Sequence, residues 1–329
     1  MLEIRSLSVH IRSRRGVVHA VDDVSLTLLE GEALGIAGES GSGKTTLLRA
    51  VLGLLPRSAH VVHGEIIFEG VDLLAVSAKQ AREVRGKRIG MVFQDPMTAL
   101  NPVMPVGDQV SEGPRYRLGQ SADESRRTAM KLLTEIGIPD PARRYRAYAH
   151  QLSGGMRQRI DIAIALSCRP HLLLCDEPTT ALDVTIQDQI LRLLKRLSAE
   201  SGLGMLYVTH DLAVIAQTCP TVAVMYAGQV VERGPVAEVF SRPRHPYTRG
   251  LLASVPDVHR IGSALEPIQG TPPDLHSPPS GCRFHPRCPL AQVDCLDGDF
   301  PLLSTADDRA TACIHSERMA TTPLLSTGL

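Results

Sequence analysis

The chain reads as an α/β fold on a mixed, mainly parallel sheet, and three observations lead there. Short apolar runs of strand length alternate with longer segments of helical periodicity, the order in which parallel strands and their crossover helices are laid down. One run, Leu34-Gly35-Ile36-Ala37, opens into Gly38-Glu39-Ser40-Gly41-Ser42-Gly43-Lys44-Thr45, from which Thr46–Leu52 leaves as a helix. Another, Leu172-Leu173-Leu174-Cys175, ends on two adjacent carboxylates, Asp176 and Glu177. Ligands of such sheets sit beyond the carboxyl ends of the strands, where both features fall.

Taken in order, residues 1–95 are strand-rich. Leu2–Ile11 and Val18–Leu29 alternate or cluster apolar residues about a turn at Arg15-Gly16. After the glycine-rich loop and its helix, His63–Gly70 predicts a short strand closed by glycine. Ile89–Phe93 predicts a buried strand ending at Gln94. From Pro96 to about Cys168 helical periodicity takes over, clearest in Glu124–Ile136, which predicts an inserted helical subdomain. A buried strand returns at His171–Cys175. An amphipathic helix follows over Val184–Ser201, with Ile186, Ile190, Leu193, Leu194 and Leu197 on one side, then a strand at Met205–Val208. Past Phe240 the composition turns to proline, histidine and cysteine. The expected division is one domain over 1–240, its helical insertion at about 96–168, and a loop-rich extension over 241–329. No internal repeat suggests a second copy of the domain.

At 329 residues, 43% hydrophobic and 21% charged, the composition is that of an ordinary globular protein. A net charge of zero gives no long-range attraction to nucleic acid or to an anionic bilayer, so no nucleic-acid partner is expected. No apolar run approaches the roughly 18 residues of a membrane span. Met1–Arg5 lacks a basic segment followed by an apolar core, so the expectation is a cytoplasmic chain without a secretory signal. Disulfides are disfavoured there.

The glycine-rich loop carries the first chemistry. Its glycines let the backbone curl until successive N–H groups and the helix N-terminus point at phosphates. Lys44 is placed to reach the β- and γ-phosphates and Thr45 to offer its hydroxyl to Mg²⁺. At the end of the later strand, Asp176 can hold Mg²⁺ through water while Glu177 polarises an attacking water. A third string, Leu152-Ser153-Gly154-Gly155-Met156-Arg157-Gln158-Arg159, opens a helix with exposed N–H groups and makes a second anion site. One chain has no need of two γ-phosphate sites, so this one is expected to close over ATP held by another subunit.

Together these strings resemble the ATP-binding subunits of ABC transporters, over nearly the whole chain and in that family's order. Gly38–Thr45 matches the Walker A loop, Leu152–Gln158 the signature and Leu172–Glu177 Walker B. Gln94 matches the Q-loop glutamine, Ala181-Leu182-Asp183 the D-loop, and His210 the switch histidine. The resemblance implies a RecA-like P-loop NTPase fold with an antiparallel β subdomain and an inserted helical subdomain. It implies a head-to-tail pair of cassettes around two ATP molecules, with Ser153, Gly154, Gly155 and Asp183 facing the partner's nucleotide. Glu177 is then the general base and His210 orients water and γ-phosphate. Gln94 joins Mg²⁺ and water to the membrane-facing helices. The family stacks adenine on an aromatic residue soon after the first strand; here Ile11 aligns with that position and His10 is the second candidate.

Within the family, the resemblance is to the cassettes of dipeptide and oligopeptide importers. It is carried by Phe93-Gln94-Asp95-Pro96-Met97-Thr98-Ala99-Leu100-Asn101-Pro102, by Glu177–Thr185 and by His245-Pro246-Tyr247-Thr248-Arg249-Gly250-Leu251-Leu252. Nickel, glutathione and some oligosaccharide importers share much of this pattern, and soluble ABC ATPases of repair or translation are the remoter alternative. The implied partners are a second, related cassette, two transmembrane permease subunits and, indirectly, an extracytoplasmic substrate-binding protein. The implied place is the cytoplasmic face of the cell membrane, held through the permeases. Cys282, Cys288, Cys295 and Cys313, separated by five, six and seventeen residues, suggest a metal site in a chain without disulfides. Four thiolates can hold a 4Fe–4S cluster or Zn²⁺, or remain unmetallated, with His285 and His315 near enough to substitute. Relatives with this C-terminal pattern resemble cluster carriers. Cys168, Cys175 and Cys219 read as ordinary buried thiols.

Overall fold

A computed structural model describes residues 1–180, 182–254, 267–304 and 309–317. Its first elements are strands β1 (Leu2–Ser13), β2 (Gly16–Leu28) and β3 (Ala33–Ala37), then helix α1 (Lys44–Leu52). Strands β4 (Ala59–Phe68) and β5 (Val71–Asp72) follow, then α2 (Ala78–Arg88) and β6 (Ile89–Val92). Five helices come next: α3 (Pro96–Ala99), α4 (Val106–Arg117), α5 (Ala122–Glu135), α6 (Pro141–Tyr145) and α7 (Gly154–Leu166). Strand β7 (Leu172–Asp176), helix α8 (Val184–Ser201), strand β8 (Gly204–Val208) and helix α9 (Leu212–Thr218) restore the alternation. Strands β9 (Thr221–Tyr226) and β10 (Gln229–Pro235), helices α10 (Val236–Ser241) and α11 (Pro246–Ala253), and short strands β11 (Leu303–Ser304) and β12 (Ala310–Thr311) complete the described chain.

Two compact units result. The first contains Leu28–Glu32 and Leu73–Tyr207. Its strands lie in the order β8-β7-β6, with β6 and β7 parallel. All three are buried along their length, which is why they read as unbroken apolar runs and not as alternation. Helix α8 buries Ile190, Leu191, Leu193 and Leu194, each worth about 1.5–3 kcal/mol of apolar burial, while Ile186 and Leu197 are only half-buried. Asp183 caps its start by accepting the Ile186 N–H at 3.0 Å, and Gly202 ends it in the left-handed region at φ 65°. Helix α5 begins two residues before the predicted Glu124. Ser121 and Glu124 form a reciprocal capping box, with the Ser121 N–H donating to Glu124 Oε2 at 2.8 Å, so Ser121 sets the boundary.

The second unit contains Leu2–Thr27, Ala33–Asp72 and the described residues from Val208 onward. One sheet runs β2-β1-β4-β5, with β1 antiparallel to β4 and β4 to β5. Strand β4 starts at Ala59, four residues before the predicted strand. Pairing of Ile11 with Ala59 and His10 with His60 recruits polar residues that local pattern leaves out. A second set runs β11-β12-β10-β9-β3, parallel only between β3 and β9. Strands β9 and β10 are not among the predicted elements. Their hairpin turns at Ala227-Gly228, both at positive φ.

The extension beyond α11 has little regular structure, as its composition predicts, and is pinned by arginines. Arg283 pairs with Asp22 and donates to the Ala227 carbonyl. Arg309, 3% exposed, donates to Glu232 Oε1 at 2.8 Å, and Glu232 is fully buried. The Glu232 carboxylate also accepts the N–H groups of Arg244 and His245. Among its described residues the large buried apolar anchor is Phe284, packed among Tyr226, Tyr247 and His245 at centroid distances of 5.2, 5.4 and 5.9 Å. Arg309→Met should therefore cost about 3 kcal/mol in urea unfolding, because it strands a buried carboxylate. Adding Glu232→Gln should recover part of that loss, since the charge then goes with its partner.

Candidate functional site

In the second unit the phosphate loop spans the end of β3 and the first turn of α1. Gly43, at φ 103°, sits so close to the chain that a Cβ would drive into the Ala20 carbonyl oxygen, and Gly38 stands in the same relation to Met225. Only glycine admits that curl. Lys44, 5% exposed, turns its ammonium back over the loop and donates to the carbonyls of Gly38 and Glu39, both at 2.7 Å, and to Ser42 Oγ at 3.3 Å. A positive charge is thus fixed against the loop's own carbonyls. Thr45 and Thr46 are half-buried in the first turn, Ser40 and Gly41 lie exposed at the rim.

His210 is exposed in the bend between β8 and α9. The segment around it is rigid. Thr209 N–H donates to Ile36 O at 3.2 Å, Thr209 Oγ1 accepts from Asp211 N–H at 3.0 Å, and Asp211 caps α9. Ile11 is half-buried near the end of β1. His10 beside it packs against His19 at 4.2 Å and His60 at 6.2 Å between ring centroids. Burial holds His10 below the usual imidazole range, with the charge of His19 adding to the effect.

In the first unit, β7 delivers Asp176, 3% exposed, at its last position. Glu177 follows in the left-handed region at φ 46°, a conformation costly for a residue with a side chain. Its Oε2 accepts from Gln94 Nε2 at 3.1 Å and from Thr180 Oγ1 at 3.0 Å. The structure therefore joins Gln94 to Glu177 across 83 residues of sequence. Ser153 caps α7, accepting the Met156 N–H at 3.4 Å, and the first turn holds Gly154, exposed, and Gly155, half-buried. Asp183 caps α8 in the same manner. Ala181, in the predicted D-loop stretch, lies outside the described residues.

Three further groups were not among the predicted site residues. Asp161 on α7 is 3% exposed, and its Oδ2 accepts the Phe93 N–H at 2.9 Å, immediately before Gln94. Burial pushes its carboxyl up to about 7, offset only in part by that hydrogen bond. Tyr247 and Arg287 both contact Glu39 in the phosphate loop. A lone acid inside an apolar helical stretch, Ile160-Asp161-Ile162, was the available signal for the first. Nothing local marks the other two.

Cys282, Cys288, Cys295 and Cys313 line one cavity, with Pro246, Phe284, Leu290 and Phe300 among its walls. Burial raises the thiols of Cys282 and Cys288, and pushes Cys313 up to about 12. Four Zn–S bonds of about 2.3 Å would draw the sulfurs to within about 4 Å of one another. Among the described residues the set of ligand atoms within 4.8 Å of one another is Asp294, Cys295 and His315, not the four thiols. Cys175 and Cys219 are buried as expected, whereas Cys168 is half-buried beside Ser167.

Comparison with solved structures sets the class: a P-loop ATPase of the ATP-binding-cassette kind. The ATP-binding cassette MJ0796, in a dimeric post-hydrolysis state bound to ADP and phosphate, superposes with a TM-score of 0.65 at 28% identity, covering 72% of this chain and 99% of that one. CbiO1 of Clostridium perfringens, part of the ABC transporter complex cbiONQ, gives 0.63 at 31% identity, covering 73% and 90%. A family model described as ABC transporter matches residues 21–180, and one described as oligopeptide/dipeptide transporter, C-terminal region, matches 231–295. The dipeptide transport ATP-binding protein DppD of Bacillus subtilis is 47% identical over 328 residues, 99% of this chain and 98% of its own. A putative peptide import ATP-binding protein of Brucella melitensis is 47% identical over 332 residues, 97% and 98%. The chain belongs to the ABC transporter ATP-binding proteins of the oligopeptide and dipeptide type, a family of ATP-hydrolysing subunits.

Asp161 supplies a pH signature. Between about pH 4 and pH 7 the folded chain keeps a proton there that the unfolded chain releases, so this group lowers stability as pH rises through that window and adds no further change above it. Asp161→Asn keeps an acceptor for Phe93 and removes the titration. The stability difference, Asp161→Asn minus wild type, should grow from pH 4 to pH 7 in urea unfolding and then level off.

Proposed function

We propose that this chain powers a membrane importer of dipeptides or oligopeptides by hydrolysing ATP. The observation that carries the catalytic assignment is Glu177 at the end of β7, held in a strained backbone state and hydrogen-bonded by Gln94 and Thr180. In this reading Gly38–Thr46 cradle the phosphates and Lys44 exchanges loop carbonyls for β- and γ-phosphate oxygens. Glu177 takes a proton from water as the water oxygen bonds to the γ-phosphorus and the bond to the bridging oxygen breaks. His210 orients water and γ-phosphate. Such catalysis depends on positioning and charge neutralisation. Thr45, Asp176 and the carbonyl of Gln94 are each assigned to Mg²⁺, since each offers the hard oxygen that ion takes, and the ion would supply charge neutralisation at the phosphates. Ile11, with His10 behind it, is assigned to the adenine.

Ser153, Gly154, Gly155 and Asp183 are assigned to a companion cassette's ATP, and the companion to a related but different chain. Two permeases are assigned to the helical insertion over 96–168, supported by the exposure there of Met97 (56%) and Val103 (81%). Among the described residues no helix is long and apolar enough to cross a membrane, so attachment at the cytoplasmic face would run through those permeases. An extracytoplasmic binding protein would hand over the peptide.

Glu177→Gln should retain ATP binding and lose turnover by a factor of about 10² or more. Hydrolysis at the wild-type rate would remove the base assignment.

The four cysteines are assigned to a 4Fe–4S cluster, with Zn²⁺ as the alternative. Their shared cavity supports a common metal group. Anaerobically purified protein should absorb broadly near ~400 nm and contain about four irons. Stoichiometric zinc with no such absorption would replace the cluster.

A further inference from the structure

Glu39, the second residue of the phosphate loop, presents its carboxylate to the extension. Arg287 donates from Nη1 to Oε2 at 2.7 Å and from Nη2 to Oε1 at 3.0 Å, two parallel charge-assisted bonds. The Arg287 side chain is 4% exposed and is held from other directions as well. Its Nε donates to Gln269 O at 3.0 Å, and Nη1 also reaches Tyr226 Oη at 3.3 Å. On the other side of the same residue, Glu39 N–H donates to Tyr247 Oη at 2.8 Å. Both the backbone and the side chain of Glu39 are therefore held by residues outside the loop.

Arg287 is itself placed by the cysteine segment. It closes a turn in which His285 N–H donates to Cys282 O at 2.9 Å and Cys288 N–H to His285 O at 3.2 Å. A carboxylate in a loop built to receive a triphosphate is a repulsive neighbour unless its charge is cancelled. A guanidinium fork cancels it and fixes its direction together, which a lysine cannot do.

We propose that Arg287 is a positioning residue for ATP binding: through Glu39 it fixes the phosphate loop and neutralises its carboxylate, tying nucleotide affinity to the cysteine-lined extension. The inference rests on Gly38–Thr45 being the phosphate site. It is tested on the full-length chain by titration with Mg-ATP, comparing wild type, Arg287→Ala and Arg287→Lys. Arg287→Ala should raise Kd by about tenfold. Arg287→Lys, which keeps the charge and loses the fork, should fall between. In the assembled importer KM for ATP should rise in step while kcat at saturating ATP stays within about twofold, a split that general destabilisation would not produce. If Arg287→Ala fails to fold, Arg287→Lys decides alone. Wild-type affinity in the variants that fold overturns the role of Arg287. Failure of the wild-type chain to bind Mg-ATP overturns the phosphate-site reading itself.

Discussion

The phosphate loop survives as a loop because its backbone is pressed against two neighbouring carbonyls. Ala20 and Met225 leave no room for a Cβ at Gly43 or Gly38, so only glycine lets the chain turn there. Lys44 then has carbonyls to hold it over the opening. The strands that bring Ala20 and Met225 into place, β2 and β9, come from opposite ends of the domain. A local motif of eight residues thus depends on pairing that is far from local.

That dependence explains what could be read in advance. Parallel strands buried on both faces announce themselves as apolar runs, so β3, β6, β7 and β8 were legible. Helix α8 was legible to the residue because Asp183 and Gly202 mark its ends. The start of β4 was not, since Ala59 and His60 lie in a strand only through their pairing with β1. Among candidate site residues, Lys44 and Glu177 stand where their strings predict, in the first turn of α1 and immediately after β7. The hydrogen bond from Gln94 to Glu177 joins the ends of two strands far apart in sequence, and no local pattern announces it. Asp161, Tyr247 and Arg287 act through residues remote in sequence, and single-chain patterns carry no record of such partners.

The extension is stabilised differently from the core. Where β7 and α8 exclude water with aliphatic side chains, residues 267–317 rely on Phe284 and on buried guanidinium groups. Arg283 meets Asp22, Arg287 meets Glu39 and Arg309 meets Glu232, each acid lying in the nucleotide-binding part of the second unit. Desolvated ion pairs add little net stability, but they are intolerant of misplacement. They fix where the segment sits more than how firmly it folds.

Helix α7 carries two contacts on one rigid element. Its N-terminus presents Ser153, and about 12 Å further along, at eight residues of helical rise, Asp161 grips the amide of Phe93. A rod does not bend to suit one end. A displacement of Ser153 along the axis of such an element would carry Asp161 with it, and with Asp161 the Phe93 amide that precedes Gln94. In the first unit one helix and two hydrogen bonds thus connect Ser153, Asp161, Gln94 and Glu177.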